Sequence, residues 1–437
     1  MITAQLNRDR FVNTLARLVK LGQSLQNAPS AGLVPKEALA CSVVEELLAP
    51  LAASGFAKLQ RHSIIGQESR PSLIVTVPGT QGGSIGFVGA HFDVVPADRE
   101  KEKWTTNPFE LTVGDDGVLR GRGVTDCLGH VALLTELLLQ LHSQGIRPRR
   151  TIHVVMIANE EERTIPGIGL EYLADIGALE PLKEGPVYWL DSADFGPTLG
   201  TAGIATWEIR ATGVGGHSGM PQNCVNALEL SMAATHELCS WFRHRVPPHP
   251  DESRWRFSSP STCKATRINC DNNKITKIPG YASVLGDMRI TPFYDVAAIF
   301  GDAVAFVSTL NEKIQRGIEL PGFPQVRTAD GAVGSVELVT EGKLTEGIAC
   351  KLDSPALDIL TRAISEVRGN SRVNPFSMTG SLPLVRDLQR RGYDVQITGF
   401  GESRSYHAPN EVAKLGDFED GIRILGRLID LVGDKLD

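Results

Sequence analysis

Gly89-Ala90-His91-Phe92-Asp93-Val94-Val95-Pro96 closes an apolar run, Ile85-Gly86-Phe87-Val88, with a histidine and, two residues on, an aspartate. A run apolar on both faces suits a strand covered by helices on each side, as in parallel sheets. Side chains alternate along a strand, so His91 and Asp93 point the same way. The Asp93 carboxylate can then fix the imidazole tautomer and leave the other ring nitrogen for a metal ion.

Outward from this junction the first half reads as alternating strands and helices. Strands are expected at 72–77, 84–90, 151–158 and 187–190, and helices at 36–52 and 130–144. A hairpin is expected over 109–122, turning at Asp115-Asp116-Gly117. Four polar clusters stand at or just beyond strand ends: His91 with Asp93, Asp126 after Gly121-Arg122-Gly123, Asn159-Glu160-Glu161-Glu162, and Asp191 with Asp194. Open parallel sheets bind ligands at the carboxyl ends of their strands. If these strands share a sheet, several carboxylates and a histidine meet in one crevice.

Carboxylates gathered without a positive charge repel one another and neutralise. A divalent cation removes the conflict. Histidine with carboxylates and no thiolate is the donor set of a catalytic zinc, cobalt or manganese site. With one aspartate shared between two ions, the centre would be about 3.5–4 Å across and would acidify a bound water towards a pKa of about 7. Each piece alone has a plainer reading. An isolated His-x-Asp is incidental roughly ten times in eleven. A glutamate run is usually a solvated face or a helix start, and Asp126 could be a helix cap. The combination favours the metal reading.

After about residue 205 the texture changes. Half-buried strands are expected at 206–211 and 281–290, with helices at 226–243 and 295–315. Residues 316–352 are glycine-rich and poorly periodic and read as connection. Helices return at 354–367 and 381–391, a strand at 393–398, and a last helix at 417–432. The expected architecture is α/β: a mixed, mostly parallel sheet flanked by helices (1–204 and 322–437) with an inserted α+β lid or dimerisation domain (205–321). At 437 residues the chain exceeds one ordinary core.

Composition narrows the function. A net charge of −7 gives no basic footprint, so nucleic acid is not an expected partner. No apolar run approaches the roughly 18–20 residues that cross a bilayer, so no membrane partner is expected either. Seven scattered cysteines with no CxxC pair fit a reducing compartment. The cytoplasm is expected, with an organelle matrix as the alternative. The acid-poor N-terminus faintly resembles a transit peptide, but Phe11, Leu15, Leu18 and Val19 recur at helical spacing and favour an amphipathic first helix.

The strings HFDVVPA, W-x-x-x-P-F, GRGVTD, NEEE, GHSG, DMRITPF and YHAPNE follow in that order over nearly the whole chain. They resemble the di-metal aminoacylase and acetylornithine deacetylase family. TDCLGHVAL, YWLDSAD, PFYDV and TGSLPLVRDLQ are similar to its plant-type acetylornithine deacetylase branch. The resemblance implies two divalent ions, zinc first and cobalt as the alternative. It implies His91, Asp126 and Asp191 as ligands of one ion and Asp126, Glu161 and His407 as ligands of the other. Asp194 competes with Asp191 for the third acidic position. Glu160 would be the general base and Asp93 would orient His91. His217 would stabilise the oxyanion, acting across a homodimer interface formed by the inserted domain. Arg289 would anchor a substrate carboxylate, and a helix N-terminus after Gly380 could cradle one.

Two positions depart from the family pattern. Thr276-Lys277-Ile278-Pro279 lacks the asparagine often found before the Ile-Pro, and Thr379-Gly380-Ser381-Leu382-Pro383 replaces a Gly-Gly-Thr-Asp loop. Cys127, beside the shared aspartate, reads as a thiolate ligand or, more simply, as a small buried residue. The implied reaction is hydrolysis of an N-acyl amino acid, N2-acetyl-L-ornithine first, giving L-ornithine and acetate. A dipeptidase or broader aminoacylase is the alternative. A catalytically silent amino-acid or metal-binding homologue is the competitor from another class.

Overall fold

The computed structural model describes residues 2, 4–162, 167–272, 274–318, 320–340, 342, 344–382 and 384–435. The chain divides into two units. The first comprises Met1–Leu199, Cys350–Phe376 and Leu384–Asp437, and the second Gly200–Ala349 and Ser377–Pro383.

In the first unit six strands lie side by side in the order Lys58–His62, Ser72–Val77, Thr151–Ile157, Ser84–His91, Pro186–Leu190, Asp394–Thr398. The last four run parallel, and the first two are antiparallel additions at one edge. The sheet is therefore mixed and mostly parallel. Ser84–His91 and Pro186–Leu190 are buried along their whole length, as strands covered on both faces must be.

The helix Leu128–Ser143 explains how one face is covered. Leucine recurs all around it, so it has no polar stripe, and thirteen of its sixteen residues are buried. The helices Arg8–Lys20, Ala38–Ala53 and Leu415–Lys435 pack against it. Its one buried acid, Glu136, is met by the Arg10 guanidinium at 2.6 and 2.8 Å. Phe11, Leu15, Leu18 and Val19 of the first helix are fully buried. The N-terminal segment is thus part of the core, as helical spacing predicts.

The second unit is an antiparallel sheet in the order Thr262–Cys270, Tyr281–Ile290, Gly203–Thr212, Ser335–Thr340. The helices Ala227–Arg245 and Val296–Gln315 bury Leu230, Leu238, Phe242, Ile299 and Val307 with Trp207, Ile209 and Met288 of the sheet. Two expectations are corrected here. Residues 316–352 are not mere connection, because they contain the sheet strand Ser335–Thr340, and the unit runs on to Ala349 rather than ending at 321. The strand Thr262–Cys270 was not foreseen at all. Seven of its nine residues are exposed, so it carries no apolar signal. Among the described residues no helix is long and apolar enough to cross a membrane.

Candidate metal centre

His91 is the last residue of Ser84–His91. Asp191 directly follows Pro186–Leu190, and Glu160 and Glu161 follow Thr151–Ile157 within four residues. Parallel neighbours end on the same side, so three loops converge at one edge of the sheet. Asp126 arrives from the turn before Leu128–Ser143, and His407 from a loop near the C-terminus.

Asp126 joins the two imidazoles. Its Oδ1 lies 3.1 Å from His91 Nε2 and its Oδ2 lies 3.2 Å from His407 Nε2. Glu161 Oε2 is 3.0 Å from the same His407 nitrogen. On the other side, Asp191 Oδ1 and Glu160 Oε2 approach His91 Nε2 to 3.8 and 3.9 Å. Donor atoms of His91, Asp126 and Glu161 all lie within 4.8 Å of one another, as do those of His91, Cys127 and Asp191. The helix cap is Cys127, with no side-chain cap bond, so Asp126 is not spent on capping. The Asp126–Cys127 peptide is cis.

Electrostatics show what this cluster lacks. Four carboxylates are drawn out of water around two imidazoles. Burial, then the neighbouring Asp191, pushes Glu160 well above the usual carboxylate range. Burial raises Asp191 to about 7. His407, bonded by Asp126 and Glu161, is held up at about 11. The cluster thus recruits positive charge wherever it can, which a pair of divalent cations would supply more fully. The donor set, imidazole with carboxylate, fits zinc or cobalt. Cys127 stands beside this set as a buried thiol: burial raises it far above its ordinary value, and Sγ donates to Leu190 O at 3.5 Å.

Asp93 behaves differently from expectation. His91 Nδ1 bonds the Asp93 backbone carbonyl at 2.8 Å, while the Asp93 carboxylate stays 3.6 Å away. The carboxylate instead accepts the Glu160 and Glu161 backbone N–H groups at 3.2 and 3.0 Å and Asn27 Nδ2 at 2.7 Å. The tautomer is set by the main chain, and the Asp93 side chain holds the Glu160-Glu161 turn. That turn is also gripped from behind. Arg70 and Glu37, both fully buried, pair at 2.6 Å, and Arg70 Nη2 reaches Asn159 Oδ1 at 3.0 Å. Asn159, at φ 63°, turns the chain there.

Sequence reasoning missed these supports, and also Glu411. This buried carboxylate accepts the N–H groups of Gly123, Thr125 and Asp126 at 2.9, 2.8 and 3.0 Å and Arg122 Nη1 at 2.9 Å. Arg122 lies over the Trp104 ring at 5.1 Å. Three of the sequence strings, W-x-x-x-P-F, GRGVTD and YHAPNE, therefore fold into one brace behind Asp126. Trp104, Arg122 and Glu411 each belong to one of them.

Asp194 stands apart. It is exposed, at φ 58°, and its carboxylate holds Ser403. His130 is a satisfied core residue, accepting Phe400 N–H at 2.8 Å, with burial lowering it to about 4.

His217, Arg289 and Gly380 lie in the second unit. His217 is exposed in the short strand Gly216–His217, and its Nδ1 accepts Gly219 N–H at 2.9 Å. The neutral ring then carries its proton on Nε2. Arg289 Nε reaches Asp287 Oδ2 at 3.2 Å. Gly380 departs from expectation. The helix expected from 381 begins at Val385, after Leu384 in the left-handed region at φ 72°, so Gly380 does not open it. Its carbonyl accepts Ala202 N–H at 3.0 Å, and Pro383 of the same loop lies outside the described residues.

The model of peptidase family M20/M25/M40 matches residues 87–431. An acetylornithine deacetylase of Dictyostelium discoideum is 40% identical over 98% of this chain and 98% of its own. An acetylornithine deacetylase of Arabidopsis thaliana is 39% identical over 97% of this chain and 96% of its own. Among solved structures, the dipeptidase Dug1p of Saccharomyces cerevisiae shares the fold, with a TM-score of 0.73 at 15% identity, over 98% of this chain and 97% of that one. On the family model and these near full-length relatives, the chain belongs to peptidase family M20/M25/M40.

Proposed function

We propose that this protein is a metal-dependent amidohydrolase that cleaves N2-acetyl-L-ornithine to L-ornithine and acetate. The observation that carries the chemistry is Asp126 set between His91 and His407, with buried Glu160 beside them. The two acetylornithine deacetylases at 40 and 39% identity support the substrate.

His91, Asp126 and Asp191 would hold one divalent ion, and Asp126, Glu161 and His407 the other, zinc in preference to cobalt. When bound, such a pair supplies Lewis-acid polarisation of an acyl carbonyl and an acidified water. Glu160 takes the proton from the attacking water and passes it to the departing amine. Glu160 is buried and its Oε2 stands 3.9 Å from His91 Nε2, inside the cluster without being the carboxylate closest to either imidazole, which suits a proton carrier. Asp93 and the Arg70–Glu37 pair keep Glu160 and Glu161 aimed apart, one to water and one to metal. His217, with Nε2–H as donor, would stabilise the oxyanion. Arg289 would take the α-carboxylate through its remaining donors. The Gly380 loop would line the substrate pocket without a helix N-terminus.

The second unit would serve as lid and as homodimer contact. Its edge strand Thr262–Cys270, with Ile268 about half exposed, offers a strand edge that is unpaired among the described residues for a second copy. The seven free cysteines support a reducing, cytoplasmic setting.

Two measurements test this reading. The purified protein, loaded with zinc or cobalt, is offered N-acetyl amino acids and dipeptides. Preference for N2-acetylornithine is expected. Preferential peptide cleavage would replace the substrate assignment, and no hydrolysis of any member would overturn the enzyme assignment. Metal analysis tests the ligands. Asp191→Ala should lower bound metal while Asp194→Ala leaves it unchanged, and the reverse result would exchange their roles.

A further inference from the structure

We propose that Cys239 and Cys263 form a reversible intrachain disulfide, making the second unit an oxidisable site independent of the metal centre. Cys239 lies in the helix Ala227–Arg245 and Cys263 near the start of the edge strand Thr262–Cys270. Their Sγ atoms are 3.8 Å apart, and both residues are half-buried. A disulfide needs about 2.05 Å between sulfurs. The remaining gap is less than 2 Å, and the partner thiol already faces the right atom.

The seven cysteines are not alike. Cys41, Cys127, Cys224 and Cys350 are buried, and burial pushes Cys41 and Cys350 up to about 12, where the reactive thiolate is scarce. Cys270 is exposed but has no cysteine beside it among the described residues. Cys239 is lowered to about 7, first by contact with the Cys263 thiol and then by Arg243 and Lys264. The pair thus has the features of a redox site: a partly accessible sulfur poised as thiolate, with a resolving thiol in reach.

The chemistry closes with hydrogen peroxide as oxidant. The Cys239 thiolate attacks the peroxide oxygen, the O–O bond breaks, and the leaving hydroxide takes a proton and departs as water. Cys239 is then a sulfenic acid. The Cys263 sulfur attacks it, the S–S bond forms, and a second water leaves with the Cys263 proton. Two thiols are oxidised by two electrons and one hydrogen peroxide is reduced. A thiol reductant reverses the change through a mixed disulfide.

The bond would tie helix to edge strand across a sequence separation of 24 residues. The test uses the full-length protein treated with equimolar hydrogen peroxide, followed by non-reducing peptide mapping and thiol titration. The expected result is one linked peptide joining Cys239 to Cys263, two thiols lost, both restored by dithiothreitol, and Cys239 reacting roughly tenfold faster than Cys270. In Cys263→Ser, Cys239 should instead be trapped as sulfenic acid by dimedone. The wild-type map decides the matter even if that variant folds poorly. No linked peptide, or a link through Cys270 or between two chains, would overturn the proposal. The free and oxidised forms should retain the same bound metal, which separates this site from the hydrolytic one.

Discussion

Glu160→Gln should keep its full metal complement and lose turnover of N2-acetylornithine by about 10²–10⁴-fold, the usual worth of a positioned acid–base group. Glutamine has nearly the same shape, and the main chain here is held from outside the side chain: Asp93 accepts the Glu160 N–H at 3.2 Å whichever group the residue carries. What disappears is the oxygen that can gain and release a proton. Glu160 is not the closest carboxylate to either imidazole, which is Asp126 or Glu161, so metal retention should hardly change. Steady-state kinetics with metal analysis on the same sample checks both halves. Near-normal turnover would remove Glu160 from the proton path. Lost metal would make it a ligand instead.

Arg70→Ala should be the most destabilising single change among the residues described here, by about 3–5 kcal/mol in denaturant unfolding. Both Arg70 and Glu37 are fully shielded from solvent, and the guanidinium meets the carboxylate at 2.6, 3.0 and 3.1 Å. Removing the arginine strands a carboxylate in the interior. It also releases Asn159, whose carbonyl oxygen accepts from Arg70 at 3.0 Å, and so loosens the turn that aims Glu160 and Glu161. Replacing both partners together, Glu37→Met with Arg70→Met, should recover much of the stability, because no buried charge is left unpaired. It should not recover turnover, since the turn still lacks its grip. A single Arg70→Ala variant that unfolds within about 1 kcal/mol of the parent would show that the pair carries little.

The first unit was legible where burial writes itself into composition. Ser72–Val77, Ser84–His91, Thr151–Ile157 and Pro186–Leu190 are continuously or nearly continuously apolar, and each was found to within about a residue. The polar residues just beyond them could then be read as one cluster. Edges left no such mark. Lys58–His62 is half exposed with three basic side chains, and Thr262–Cys270 is open to solvent along most of its length. Long-range support was also invisible. Glu37 meets a partner 33 residues away, Asn27 one 66 away, and Glu411 one 285 away. Nothing local distinguishes such a carboxylate from a surface one. The Asp93 correction has the same origin. Alternation places the side chain on the correct face, but not its hydrogen bonds, and the main-chain carbonyl competed for His91 at shorter range.

Glu411 and His407 have a consequence for how the cluster is tied together. Four residues apart on one loop, they hold opposite ends of the same aspartate: Glu411 accepts the Asp126 N–H at 3.0 Å, and His407 Nε2 lies 3.2 Å from Asp126 Oδ2. A change that displaces this loop should therefore disturb the main chain and the carboxylate of Asp126 together, a coupling that no substitution at Asp126 alone would reveal.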